Sequence, residues 1–356
     1  MDAKERVLAA LFLEDVDRIP LYLRFTSEVF SELLSEYYGK LGSKENVNDV
    51  ILLYHALNQD VLTLWPNIPP YEDGIIIKHL EDGTFIDEWG VRRMRRGGLI
   101  WNLEPAINSV EDLDEYTPPD PLNERRFDNV IKFIQMAKNN FALIGVIPGP
   151  FEAAWHVRGF KNLLVDFRRN PILANKILSI VTNVFIEIEK FLIDNDVDAI
   201  MIGDDVGYQT SLILPPETWA EFIKPYLKRL IDESKKRGLP VIYHSDGNIN
   251  LIFDELINMN IDGIHPIQES AGMNINYLSE KYADKICFVG MIDIQKHLPF
   301  ATTLEVCKNI KRIITTVRSY GGSLIIGPTH DIQPDTPIEN IKALVNIVLK
   351  YGKMTI

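Results

Sequence analysis

The sequence predicts a single α/β domain, residues 1–356, folded as a (β/α)8 TIM barrel with a β excursion inserted at about residues 74–102. Two observations carry this expectation. Short apolar runs alternate with helix-period stretches, the mark of βα units around a parallel sheet. Polar residues then gather just past those runs, where such a barrel builds its site. A chain of 356 residues, 46% apolar and 24% charged, has the material for one large barrel core.

In chain order, residues 1–12 read as an amphipathic helix, because Asp2, Lys4, Glu5 and Arg6 interrupt the apolar run that an export signal needs. Residues 19–24 form the first strand, followed by a helix at 27–38; a helix at 44–57 precedes the second strand at 60–64. Residues 74–102 break the alternation. There, 75–80, 84–88 and 91–95 are short β-like runs split by Asp82-Gly83 and Trp89-Gly90, dipeptides suited to tight turns. The basic run from Arg92 to Arg96 reads as a solvated hairpin edge guarded against pairing rather than an anion site. Residues 117–121, Thr-Pro-Pro-Asp-Pro, make a stiff connector before a helix at about 123–138. Six more strands follow at 142–147, 199–202, 240–243, 263–265, 286–290 and 323–326. Helix-period stretches at 171–195, 216–237, 251–259, 304–319 and 338–351 alternate with them. No segment approaches the roughly 20 uninterrupted apolar residues of a membrane span.

The residues after the strands carry the functional information. They are Arg24, Pro66-Asn67, Pro148-Gly149-Pro150 with Glu152 and Trp155 beyond, Asp204-Asp205 with Tyr208, His244-Ser245-Asp246-Gly247, His265 with Gln268-Glu269, Asp293, and His330-Asp331. Three of the seven histidines thus fall at one rim among carboxylates, a density that points to a site. His244 and Asp246 are two apart on an extended chain and project to the same side. They suit a pair of metal ligands or an acid beside a base; a capping Asp beside a hydrogen-bonded His is the plainer alternative. His330, from another strand, is placed to complete the cluster. Imidazole with carboxylate suits zinc with an open position for substrate. Gly247 permits a sharp exit from the strand. Adjacent Asp204 and Asp205 point to opposite sides, so at most one faces the mouth. Trp155 and Tyr208 offer walls for an aromatic or macrocyclic ligand, or pack the rim. His55, His79 and His297 lie elsewhere, as surface or packing residues.

Composition narrows the class. With 37 Lys and Arg against 50 Asp and Glu, the formal charge of −13 opposes nucleic-acid binding. Cys287 and Cys307, the only cysteines, allow neither a disulfide framework nor a multi-Cys zinc site, and a reducing cytoplasm fits them.

Several segments carry a resemblance. Glu5 to Ala10 with Asp17-Arg18-Ile19-Pro20, Gly149-Pro150-Phe151, Leu214 to Trp219 running on to Pro225-Tyr226-Leu227-Lys228, and Gly327 to Pro337 are similar to the uroporphyrinogen decarboxylase superfamily over nearly the whole chain. The resemblance implies one (β/α)8 barrel and either a decarboxylase or a cobalamin-linked methyltransferase. True decarboxylases resemble Arg24 but carry a second arginine where Glu28 stands here, and a pyrrole-gripping aspartate where Asn67 stands. A polycarboxylate ligand needs cations, which Glu28 opposes. The methyltransferase branch has a His-X-Cys-Gly zinc motif where this chain reads His244-Ser245-Asp246-Gly247, and a late cysteine that is missing here. Asp246 and His330 then stand in for the thiolates, a harder site suited to an oxygen-bound methyl group. Ile264 to Gln268 with Ala271 to Ile275 resembles the subgroup found beside corrinoid proteins in O-demethylase systems.

The resemblance therefore implies a methyltransferase that moves a methyl group from a small methoxylated donor to a corrinoid protein, with Zn2+ at His244, Asp246 and His330. Asp246, His330 and Asp205 are the expected catalytic groups. Arg24, Asn67, Glu152, Trp155, Asp204, Tyr208, His265 and Gln268 are the expected substrate contacts. Decarboxylation of a porphyrinogen or smaller carboxylated ring, and a non-catalytic ligand-binding barrel, are the alternatives; a homodimer is an admissible assembly.

Overall fold

Alternation of side chains along the apolar runs, and helical periodicity between them, sort the chain in the computed structural model, which describes residues 1–70, 72–96 and 99–353. Tyr71, Gly97, Gly98 and residues 354–356, included in the expected single domain, lie outside the described residues. The strands are β1 (Val61–Leu64), β2 (Ile76–His79), β3 (Phe85–Asp87), β4 (Arg92–Arg96), β5 (Leu99–Glu104), β6 (Ala142–Pro148), β7 (Ala199–Gly203), β8 (Val241–His244), β9 (Gly263–His265), β10 (Cys287–Val289) and β11 (Leu324–Ile325). β1 and β6 to β11 form one seven-stranded sheet in chain order, every neighbouring pair parallel. Helices such as Pro171–Asp194, Lys224–Lys236, Thr303–Ser319 and Ile338–Tyr351 make the crossovers. The curled parallel sheet with helices outside it is a TIM-barrel-like arrangement.

Residues 19–24, expected as a regular first strand, carry instead a single isolated bridge, Leu21 to Ile326, with Arg18 and Phe25 bridged on either side. Tyr22 N–H donates to Ile326 O and Ile326 N–H to Pro20 O on one side, while Asp60 N–H donates to Leu21 O on the other. The ladder is broken for local reasons. Pro20 has no N–H to give, and the Gln59 side-chain amide accepts from Leu23 N–H and donates to Leu23 O where a neighbouring backbone would. The segment nonetheless lies between β1 and the chain just past β11.

Parity within each strand builds two cores. Val61, Ala142, Ile144, Val146, Ala199, Met201, Ile242, Cys287, Val289 and Ile325 form one cluster with Tyr22, closed by Val7, Ala10 and Leu11 of the N-terminal helix Ala3–Leu11. Their neighbours of opposite parity, among them Leu62, Leu143, Ile200, Ile202, Tyr243, Ile264 and Phe288, pack outward against the helices. The helix Pro171–Asp194 is long and apolar enough by length and composition to cross a membrane, which the sequence reading had not anticipated. Its Leu173, Ile177, Val181, Phe185, Ile188 and Leu192 belong to that outer core, which accounts for its apolarity.

At the N-terminal ends of the strands, aspartates fix register. Asp60, Asp198 and Asp262 each precede a strand, and each accepts a backbone N–H from a neighbouring segment, at Leu21, Leu143 and Val241. Each is also ion-paired: Asp60 with Arg6 and Arg18, Asp198 with Lys4, Asp262 with Lys235.

A separate four-stranded antiparallel sheet, in the order β2-β3-β4-β5, occupies Ile76 to Glu104. β4 is an inner strand of it, so the run from Arg92 to Arg96 is not the solvated edge expected from the sequence. Arg93 is buried and donates to the carbonyls of Pro70, Glu72 and Asp73, while Arg92 pairs with Asp82 and Glu104. The sheet is fastened to the rest by two buried pairs. Arg126 meets Glu88 through both carboxylate oxygens, and His156 Nε2 lies 2.9 Å from Asp87.

Candidate active site

The inward parity of the parallel strands continues past their C-terminal ends. It carries Met201 on to Gly203 and Asp205, Ile242 to His244 and Asp246, Thr63 to Trp65, and Tyr22 to Arg24. A cavity of about 840 Å³ opens there at the C-terminal mouth, lined by Arg24, Glu152, Trp155, Asp205, His244 and His330 among others, with Asp246 set back from its lining. Asp331, Trp65, Lys44 and Glu72 join them, with Trp101 and Asn102 of β5 on the side of the antiparallel sheet. Trp65 was readable, since it follows a strand in the parity of Val61 and Thr63. Trp101 and Asn102 were not, because nothing local shows that the excursion folds against the mouth.

Five residues expected to meet substrate are not part of the cavity lining. Asn67 accepts from Gly74 N–H and donates to Gly74 O, so its amide closes a loop. Gln268 accepts from Gly247 N–H. Tyr208 is 66% exposed outside the cavity. Asp204 is fully buried and accepts from Glu152 N–H at 2.9 Å, beneath the helix Pro150–Arg158. His265 is buried with its Nδ1 2.6 Å from His244 Nδ1. Of the adjacent pair only Asp205 reaches the cavity, as strand geometry requires. Among the other histidines, His55 and His79 are exposed, whereas His156 is a buried partner of Asp87 and Asn102.

Asp205, His244 and Asp246 bring ligand atoms within 4.8 Å of one another. Asp205, rather than His330, stands with His244 and Asp246 in this group. His330 lines the same cavity, but its Nδ1 accepts from Asp331 N–H at 2.8 Å. Asp205 Oδ1 accepts from Asp246 N–H, and Asp246 Oδ1 is buried with no hydrogen-bond partner. Gly247 leaves the strand at φ +83°, with Tyr208 O only 2.7 Å from where a Cβ would sit.

Electrostatics follow from burial. Burial, and then the neighbouring Asp205, push the Asp246 carboxyl up to about 7. Burial also raises Asp205, though its side chain is 40% exposed to the cavity and so better solvated. His244 is held well below the usual imidazole range by burial, then by Arg24. His330 is lowered for the same two reasons. Opposite the acids, Arg24 donates to Asp331 at 2.8 Å and sits 5.1 Å over the Trp65 ring. The Asp331 carboxyl is raised by burial, but Arg24 and Lys44 outweigh that and hold it low.

Asp204 makes a separate prediction. Burial pushes its carboxyl up to about 8 against an unfolded value of about 3.9. The folded chain therefore keeps a proton that the unfolded chain loses across that window, and stability falls as pH rises through it. Asp204→Asn should flatten this slope and gain up to several kcal/mol over wild type above pH ~8. Urea denaturation at stepped pH, with equal slopes for both proteins, would contradict the assignment.

The comparisons agree with this architecture. The model for "Uroporphyrinogen decarboxylase (URO-D)" matches residues 94–351. A uroporphyrinogen decarboxylase from Picrophilus torridus is 25% identical over 61% of this chain, the match spanning 62% of the relative's own length. The methylcobamide:CoM methyltransferase MtbA from Methanosarcina acetivorans is 22% identical over 70% of this chain and 71% of its own. A solved methyltransferase from Methanosarcina mazei superposes with a TM-score of 0.76 at 20% identity, covering 99% of both chains. A family model that matches residues 94–351, most of the chain, makes this protein a member of the uroporphyrinogen decarboxylase (URO-D) family.

Proposed function

We propose that the protein is a methyltransferase that takes a methyl group from a small methoxylated donor and passes it to the corrinoid of a separate protein. We also propose that residues 19–24 act as the eighth stave of a closed barrel, and that the enzyme works in the cytoplasm. The observation that carries the reading is the Asp205, His244 and Asp246 cluster at the cavity wall, together with the buried Asp246 oxygen that lacks a partner. Three acceptor-rich groups converging on one point call for a cation between them. The donor set, one imidazole and two carboxylates, fits a borderline or hard divalent ion such as zinc. His244, Asp246 and Asp205 would hold it, and it would supply a Lewis acid at the donor oxygen.

The remaining steps belong to the chain. His330 takes a hydrogen bond at Nδ1, so the neutral ring carries its proton on Nε2, the atom available to the cavity. As the oxygen–methyl bond breaks, its electron pair stays on oxygen while the methyl leaves for the corrinoid, and His330 Nε2–H donates a hydrogen bond that stabilises the charge on the departing oxygen. Trp65, Trp155 and Trp101 exclude water around the donor.

The relatives also include decarboxylases, and Arg24 is the kind of cation their chemistry uses. Two assays on the purified protein separate the readings: demethylation of methoxylated compounds with a reduced corrinoid acceptor, and turnover of uroporphyrinogen. Methyl transfer with negligible porphyrinogen turnover is expected, since Glu28 and Asn67 stand where that reaction has a cation and an acid. Brisk decarboxylation without methyl transfer would refute the proposal.

Zinc binding should also titrate. The ion must displace the Asp246 proton, so affinity should fall about tenfold per pH unit below pH ~7 and level off above it. Asp246→Asn should bind more weakly and lose that dependence. Chelator competition across pH checks it; a wild-type affinity flat below neutrality would be the contrary result.

A further inference from the structure

We infer that His265 is a positioning residue that sets the tautomer of His244, holding its proton on Nδ1 so that the Nε2 lone pair faces Asp205 and Asp246. The inference rests on reading His244 as a metal ligand. The two Nδ1 atoms are 2.6 Å apart, while the ring centroids are 4.9 Å apart with planes 30° from parallel. The nitrogens are far closer than the centroids, so both lie between the rings and aim at each other. At that distance one must donate and the other accept, because two lone pairs or two N–H groups would repel.

The far side of His265 decides the direction. Its Nε2 is buried and makes no hydrogen bond within good geometry, and the polar group it faces is the Pro328 carbonyl. A carbonyl only accepts, so the proton of neutral His265 belongs on Nε2. Its Nδ1 is then an acceptor and His244 Nδ1 the donor. The reverse arrangement would set a bare Nε2 against a buried carbonyl oxygen, leaving two acceptors face to face. The ring has little freedom to escape this choice. Ser245 N–H donates to His265 O, Tyr22 packs 5.6 Å from the imidazole, and a Cβ on Gly290 would lie 2.6 Å from Nε2. On the cavity side, His244 Nε2 lies 3.7 Å from Asp205 Oδ1, too far for a hydrogen bond and open to a cation.

The test reads the proton directly. In metal-free protein labelled with 15N-histidine, long-range proton–nitrogen spectra at neutral pH should show His244 protonated at Nδ1 and His265 at Nε2. His244 protonated at Nε2 would overturn the inference. In His265→Phe, the His244 proton should redistribute to Nε2, and the Kd for zinc alone, by chelator competition, should rise about 10- to 100-fold. His265→Gln keeps an acceptor and should retain part of that affinity at a similar Tm. An unchanged Kd in folded His265→Phe would also overturn it, and should that variant fail to fold, the wild-type and His265→Gln spectra decide. Absence of methyl transfer alongside the expected tautomers would remove the proposed function and leave this assignment standing.

Discussion

His244→Ala is expected to take zinc retained after purification without chelators from near stoichiometric to background, and methyl transfer with it. His244 is the nitrogen-bearing member of the cluster and reaches the cavity from the end of β8, beside the two acids. Without it, two carboxylates remain, a pair that binds a borderline cation weakly and prefers to share a proton. The side chain is mostly shielded and its loss leaves the buried His265 Nδ1 without its partner, so stability should also fall, by about 1–3 kcal/mol. Elemental analysis and a thermal scan on the same preparations separate the two effects. Background metal in wild type and variant alike would sink the metal site and leave Asp246 to be tested as a proton donor.

Arg126→Met should cost about 3–5 kcal/mol of unfolding free energy, because it strands a carboxylate in the interior. Arg126 is buried and donates to both oxygens of Glu88 at 2.7 and 2.6 Å, and to the carbonyls of Asn67, Asp120 and Pro121. Burial already raises the Glu88 carboxyl even with this partner beside it. In the variant the folded state would keep Glu88 protonated, so stability should fall further as pH rises above the ordinary carboxylate range. Removing both partners in Arg126→Met/Glu88→Leu should recover much of the loss, since a buried pair is expensive chiefly when broken. A single-variant loss under about 1 kcal/mol would show that the antiparallel sheet is not anchored there.

These two sites differ in how far the sequence announced them. His244 and Asp246 were legible because strand ends and period-two projection are local properties: an apolar run followed by His-X-Asp-Gly puts both side chains on one side wherever the strand lies. The same rule separated Asp204 from Asp205. Arg126, Arg93 and His156 carried no such signal. Each is a polar residue on an ordinary helix or strand whose partner is distant in sequence, so only the folded chain reveals that it is buried.

Asn67 and Gln268 show the complementary limit. Both follow strands, yet each spends its amide on a nearby backbone group, at Gly74 and Gly247, and neither reaches the cavity. His330 lines the cavity but stands apart from the group of Asp205, His244 and Asp246.

The sequence by itself did not show β5 or the helices Pro150–Arg158 and Phe160–Arg169, but determined the alternation of strands and helices from residue 171 onward, the apolar parity that makes an inner and an outer core, and the rim at which polar residues collect. All of these depend on periodicity and on neighbours a few positions apart. Tertiary structure alone decided which rim residues face one another, how His265 and Asp205 complete the neighbourhood of His244, and that Arg93 of a basic strand would be buried beside the mouth. Those outcomes depend on distances between segments remote in the chain, which hydrophobic patterning constrains only to the correct face and never to the correct partner.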